Sequence, residues 1–202
     1  MISPSNYNVL SISNLNSNGD DFSPAYYRDG IVFIGNSKSK KSLFKWNNRS
    51  WLTIYNIPFL PTGKEKISIQ ELELPKINKF HGGPVAFTRQ DKMIYFSHNQ
   101  NLDKKNKSTT NNLGIYSALK RRNKWTDLKA FSFNNPSYSI AHPTISDNGK
   151  EMYFVSDMPG GFGGTDIYFS RNSGYKWSTP INLGPVINTS QNELFPFFHK
   201  DG

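Results

Sequence analysis

Apolar residues in this chain come in short runs of three to five, each bounded by Gly, Pro, Asn, Asp or Ser. That is the punctuation of strands and turns, not of helices. The clearest instance runs from His142-Pro143-Thr144-Ile145 through Asp147-Asn148-Gly149 to the aromatic run Met152-Tyr153-Phe154. A Gly-rich loop follows, then Asp166-Ile167-Tyr168-Phe169-Ser170 and Lys176-Trp177. The pattern predicts four antiparallel strands: Ala141–Ile145 innermost, then Glu151–Ser156, Asp166–Arg171 and an outermost strand near Lys176–Pro180. Asp147-Asn148-Gly149 suits a tight turn, because Asn and Gly accept positive φ. Pro143 suits an inner position where no amide donor is required. The longest helical candidate is Ile67–Leu74, and Tyr7–Ile12 reads as a lone strand before a turn at Asn18-Gly19.

The same order of features recurs. An earlier copy reads Gly83-Pro84-Val85-Ala86-Phe87, Asp91-Lys92, Ile94-Tyr95-Phe96, Gly114-Ile115-Tyr116 and Lys124-Trp125. A looser copy reads Phe22-Ser23-Pro24-Ala25, Asp29-Gly30, Ile31–Ile34, Leu43-Phe44, then Trp46 and Trp51. A further copy begins at Phe195-Pro196-Phe197-Phe198. Tyr116 precedes Trp125 by 9 residues, as Tyr168 precedes Trp177, and the two tryptophans lie 52 apart. Short aromatic strands repeating every 50–60 residues are the pattern of a β-propeller blade. The expected fold is therefore all-β: a partial β-propeller of about three four-stranded antiparallel blades plus the start of a fourth. The expected divisions are 1–18 (strand and linker), 19–77, 78–135 with a basic loop insertion, 136–190, and 191–202. A propeller closes with about 4–8 blades, so the chain reads as a piece of something larger.

Composition narrows the chemistry. Aromatic residues make up 14% of the chain, which suits pleated surfaces packed face to face. There is no cysteine, which removes disulfides, thiolate metal sites and cysteine nucleophiles together. No apolar run approaches the ~20 residues that span a bilayer, and no basic start with an apolar core marks a secretory signal near Met1. An exported parent would carry its signal upstream. The net charge is +9, much of it in Lys104, Lys105, Lys107, Lys120, Arg121, Arg122 and Lys124, against Asp103 alone. This segment could bind an anion such as lipopolysaccharide or an acidic partner, but a solvated, mobile insertion at Asn99–Asn112 is the simpler reading. It lacks interleaved stacking aromatics, so no nucleic-acid partner is expected.

The loop from Asp157 to Asp166 sets glycines beside carboxylates, yet its register does not fit a calcium repeat and no Gly-Lys-Ser/Thr follows. A flexible hairpin loop, with Asp166 bonding backbone amides, is preferred. Ser146-Asp147-Asn148-Gly149 lacks the rest of a sialidase aspartate box. His81 and His142 stand near the inner-strand prolines and could converge on a channel and hold a metal. No histidine pair has metal-ligand spacing, however, and packing is preferred. No nucleophile elbow or paired catalytic carboxylates stand out. Trp51, Trp125 and Trp177 could be sugar platforms, but their repeat position favours packing between blades. No catalytic residue, cofactor or metal is expected. The candidate interaction residues are Lys104, Lys105, Lys107, Arg121, Arg122, His142, Asp157 and Asp166.

Ala141 to Gly161, with Gly164-Thr165-Asp166-Ile167-Tyr168, resembles the PD-type propeller repeat, and in particular the OmpA family envelope proteins of Bacteroidetes. Asn182-Leu183-Gly184-Pro185-Val186-Ile187-Asn188-Thr189, Asn192–Phe197 and Asp21–Tyr27 are similar to that group as well. The resemblance covers about 20–202. It implies an envelope protein on the periplasmic face of the outer membrane, with a tetratricopeptide region before the propeller and two domains after it. These are a carboxypeptidase-regulatory-like β domain and an OmpA-like domain that grips peptidoglycan. One branch serves the type IX secretion apparatus. Peptidoglycan contact would belong to a domain outside this chain, leaving a protein-interaction platform for envelope proteins. The alternatives are an accessory or gating propeller of a larger periplasmic hydrolase, or a TolB-like binding propeller.

Overall fold

The computed structural model describes residues 16–17, 19–36, 43–44, 49–58, 69–75, 77, 81–100 and 111–199. Tyr7–Ile12, Asn18, Lys104, Lys105 and Lys107 lie outside these residues. Among the described residues are fourteen strands and one 3-10 turn, Arg89–Asp91. The first sheet contains β1 (Asp21–Tyr27) and β2 (Gly30–Asn36); a small separate hairpin, β3 (Leu43–Phe44) and β4 (Arg49–Ser50), follows before β5 (Leu52–Pro58) and β6 (Gln70–Glu71) complete it. The second sheet is β7 (Gly82–Phe87), β8 (Met93–Asn99), β9 (Leu113–Arg121) and β10 (Lys124–Ala130). The third is β11 (Ile140–Ile145), β12 (Glu151–Ser156), β13 (Asp166–Arg171) and β14 (Ile181–Asn182). All three are antiparallel and run up and down in chain order. No described helix is long and apolar enough to cross a membrane.

Three expectations are corrected. The outermost strand of the third sheet is not Lys176–Pro180 but β14. Trp177 makes an isolated bridge to Asn172, and the Ser178 hydroxyl accepts the Arg171 amide at 3.0 Å. Pro180 has no amide to donate, so ladder pairing resumes only beyond it. In the first sheet Leu43-Phe44 belongs to the separate hairpin, and the third strand is β5, which follows Trp51. The described part of Ile67–Leu74 contains no helix: Gln70 and Glu71 pair with Asn56 and Tyr55. Sheet pairing overrides local helix preference there.

The first strand of each sheet carries the same irregularity. Register slips between Phe22 and Ala25, Gly82 and Val85, and Ala141 and Thr144. Each bulge contains an X-Pro pair: Ser23-Pro24, Gly83-Pro84 and His142-Pro143. The proline, lacking an amide, falls where the ladder is already interrupted. Ser23 and His142 take φ of 53° and 51°, and Phe195, before Pro196, takes 53°. Positive φ is costly for a side chain bearing Cβ. Its recurrence marks a shared backbone device.

The core lies between the sheets. Tyr27, Val32, Ile34 and Ile54 of the first sheet meet Val85, Ile94, Phe96, Ala118 and Trp125 of the second. Tyr95 and Ile115 on the second sheet's opposite face, with Phe131 beyond β10, meet Ile140, Ile145, Met152, Phe154 and Tyr168. Strand alternation makes this possible, since neighbouring residues of β8 point to opposite faces. The tryptophans lie at these seams. Trp125 packs on Tyr27 and Phe87 at 6.4 and 6.0 Å between ring centres. Trp177 packs edge-on to Tyr95 and Phe131 at 6.0 and 5.8 Å.

Candidate functional site

The Gly-rich loop joins β12 to β13, and Asp166, the first residue of β13, organises it. The residue is 1% exposed. It accepts the amides of Phe162 at 2.6 Å and Gly163 at 3.2 Å, and the side-chain amide of Asn182 at 2.7 Å. Asn182 in turn accepts from the side chain of Asn188 at 2.7 Å. Asn188, itself buried, accepts the Ile167 amide at 2.8 Å and donates to the Ile167 carbonyl at 3.1 Å. The loop is therefore clamped rather than flexible. A Cβ at Gly161 would fall 2.3 Å from the Asp166 carboxylate, and one at Gly163 would fall 2.4 Å from the Thr189 and Gln191 carbonyl oxygens. Asp166 faces inward with its oxygens occupied. Asp157, at the other end of the loop, is exposed and accepts the Ser139 amide at 2.6 Å.

His142 occupies the bulge of β11. Its amide donates to the Ser97 hydroxyl of the second sheet at 2.8 Å, and its ring stacks on Phe195 at 4.2 Å and 8°. Its Nδ1 accepts the Phe195 amide at 3.5 Å. Burial holds the imidazole at about 4, well below its ordinary 6.5. His81 accepts the Leu52 amide at Nδ1, 3.1 Å, and meets Trp51 edge-on at 4.7 Å. Burial, and then the charge of His98, lower its pKa. Among the described residues no group of three His, Asp or Glu is placed to hold a metal ion.

Arg121 and Arg122 lie at the β9–β10 turn. Arg122 and Asn123 take φ of 45° and 70°, and Arg121 pairs with Asp127 at 2.8 Å in an exposed contact. Lys120, one residue earlier, turns inward. Its ammonium donates to the Tyr27 hydroxyl at 2.8 Å and lies 4.8 and 5.3 Å from the ring centres of Tyr27 and Trp125. This lysine closes the seam between the first two sheets through cation–π attraction. The strand directions place Arg121 and Arg122 at one end of the sheets, with the β7–β8 and β11–β12 turns. They place Asp157 and Asp166 at the opposite end, where β12 stops and β13 starts. The candidate residues therefore do not converge on one site.

Sequence reading missed Asn182 and Asn188 as parts of the clamp. An asparagine that bonds backbone leaves no periodic trace, although both lie in the Asn182–Thr189 stretch that carries the family resemblance. No protein-family model matches the chain, and no curated protein matches it. Among solved structures it is similar to a puromycin-hydrolyzing peptidase of Mycobacterium tuberculosis, at 14% identity and a TM-score of 0.48. The match covers 83% of this chain and 24% of that one, so the chain spans about a quarter of the peptidase's length.

Asp166→Ala removes the buried acceptor of three part-buried hydrogen bonds and lowers stability by about 2 kcal/mol or more in urea unfolding. Asp157→Ala, at an exposed bond, costs about 1 kcal/mol or less. Equal costs would contradict the clamp. For His142 the unfolded chain takes up its proton near pH 6.5, while the folded chain resists protonation to about pH 4. Its stabilising contribution is complete above pH 6.5 and is lost as pH falls towards 4, with a slope of about 1.4 kcal/mol per pH unit. His142→Asn tolerates the positive φ and flattens that slope. An unchanged slope would show that His142 titrates normally.

Proposed function

We propose that this chain is a non-catalytic β-propeller segment that serves as a protein-interaction platform in a cell-envelope protein of the OmpA-like, peptidoglycan-linked kind. The observation that carries the reading is the mutual locking of three sheets of identical strand order. Their hairpin turns are held at a common end by rigid packing beneath. Docking of partners depends on surfaces held in fixed relation, which lowers the ordering cost of binding. The positive φ before proline at Ser23 and His142, recurring at Phe195-Pro196, supports continuation of the same repeat into a fourth blade. Asp166, Asn182 and Asn188, which lie within the stretches that resemble the PD-type repeat, form the clamp and have a structural part in it.

On this reading the parent protein lies on the periplasmic face of the outer membrane. Its partners are other envelope proteins, and it reaches peptidoglycan through a separate domain. The purified chain should show no saturable turnover of quenched-fluorophore peptides or labelled glycan strands. Turnover that a single substitution at a Ser, His or Asp abolishes would overturn the platform reading.

A further inference from the structure

At the turn end, between the second and third sheets, lies a cleft of about 640 Å³. The clamp around Asp166 is at the other end of the third sheet and takes no part in it. The cleft is built from corresponding turns of two repeats. Thr88 and Ser146 both receive, on their hydroxyls, the amide that opens the next strand: Met93 at 3.1 Å and Glu151 at 2.9 Å. Positive φ at Gln90, Asp91 and Gly149 folds the turns tightly. The Arg89 amide donates to the Asp147 carbonyl at 2.9 Å, joining one turn to the other. The Asn172 amide donates to the Lys150 carbonyl at 2.7 Å, tying in the β13–β14 turn. The walls are thus fixed by backbone hydrogen bonds before any ligand arrives.

The lining divides into two kinds of surface. Met93, Tyr95 and Leu119 form an apolar floor. Arg89, Lys92 and Lys150 stand on the rim, and Asp147 is the single carboxylate in the lining. Elsewhere at this end Arg121 and Arg171 are neutralised by Asp127 and Glu151 at 2.8 Å each. No ion pair joins Arg89, Lys92 or Lys150 to an acid among the described residues. The three cations come from two different turns, an arrangement that suits several separate anionic groups better than one phosphate. Lysine ammoniums meet single carboxylates as point charges. An apolar floor under a cationic rim selects an apolar side chain flanked by acids.

We propose that this cleft binds an acidic peptide segment, an aliphatic side chain entering over Met93 and Leu119 and flanking Asp or Glu residues meeting Arg89, Lys92 and Lys150. The inference rests on the platform reading and names the chemistry of the partner. The test uses the full chain and a peptide of about ten residues alternating glutamate and leucine, carrying a fluorophore and a quencher at its two ends. A singly labelled copy reports binding by anisotropy. Binding should weaken steeply with salt, as charge-led contacts do. The triple variant Arg89→Glu, Lys92→Glu, Lys150→Glu should bind at least about tenfold more weakly, with its circular dichroism unchanged. Charge reversal at Arg122 and Lys124 should leave most of the affinity. Lys92→Arg should bind as the parent chain does. A peptide with lysine in place of glutamate should not bind. Affinity unchanged in the triple variant, no binding of the acidic peptide, or equal affinity for an oligonucleotide would each overturn the proposal. Cleavage, seen as dequenching, would instead sink the platform reading, so the two failures are distinguishable.

Discussion

The structure depends on a sheet that buries both of its faces. In β8, Ile94 and Phe96 turn towards the first sheet, while Tyr95 and Ser97 turn towards the third. All four are at most 3% exposed. In β9, Ile115 and Ala118 divide in the same way. A one-residue slip in this sheet would exchange its two faces. It would place Ser97 against Val32 and Ile34 and remove the hydroxyl that receives the His142 amide. Register in the middle sheet therefore sets the position of both neighbours.

That constraint accounts for the seams and the ends. Trp125, with Lys120 over its face, closes one seam, and Trp177, edge-on to Tyr95, closes the other. Once the sheets are locked, corresponding turns stand side by side, and the amide of Arg89 reaches the carbonyl of Asp147. The basic cleft is thus a product of repetition: two copies of one turn, each ending in a lysine, are brought together by stacking. The opposite end is held by a different device, a buried carboxylate and two asparagines that bind backbone. One end is rigid through side-chain clamping, the other through paired hairpins.

Much of the fold was legible because the chain writes it more than once. Ile94-Tyr95-Phe96 and Met152-Tyr153-Phe154 form equivalent strands, and the four-stranded antiparallel unit follows from their shared punctuation. The strands β5, β6 and β14 were not legible. The first two lie beyond an inserted hairpin that breaks the repeat spacing, and β14 is two residues long and begins only after Pro180. The tight turn at Asp147-Asn148-Gly149 was read for two residues of positive φ, but only Gly149 adopts it. Asn148 acts through its side-chain oxygen, which accepts the Lys150 amide at 2.9 Å. Asp166 was legible as a backbone-bonding residue, whereas its asparagine partners, 16 and 22 residues later, were not. The cleft was invisible because Arg89, Lys92 and Lys150 meet only when two sheets stack. The histidines that looked able to converge, His81 and His142, instead serve separate backbone contacts.

Native-state hydrogen exchange tests the two-sided burial of the middle sheet most directly. The amides of β8 are paired on both edges and covered on both faces, so they should exchange last, and only through global unfolding. Those of β1 and β14, at sheet edges, should exchange earlier by local opening. Amides of β8 exchanging as fast as those of β14, or the first and third sheets staying protected after β8 has exchanged, would contradict the account.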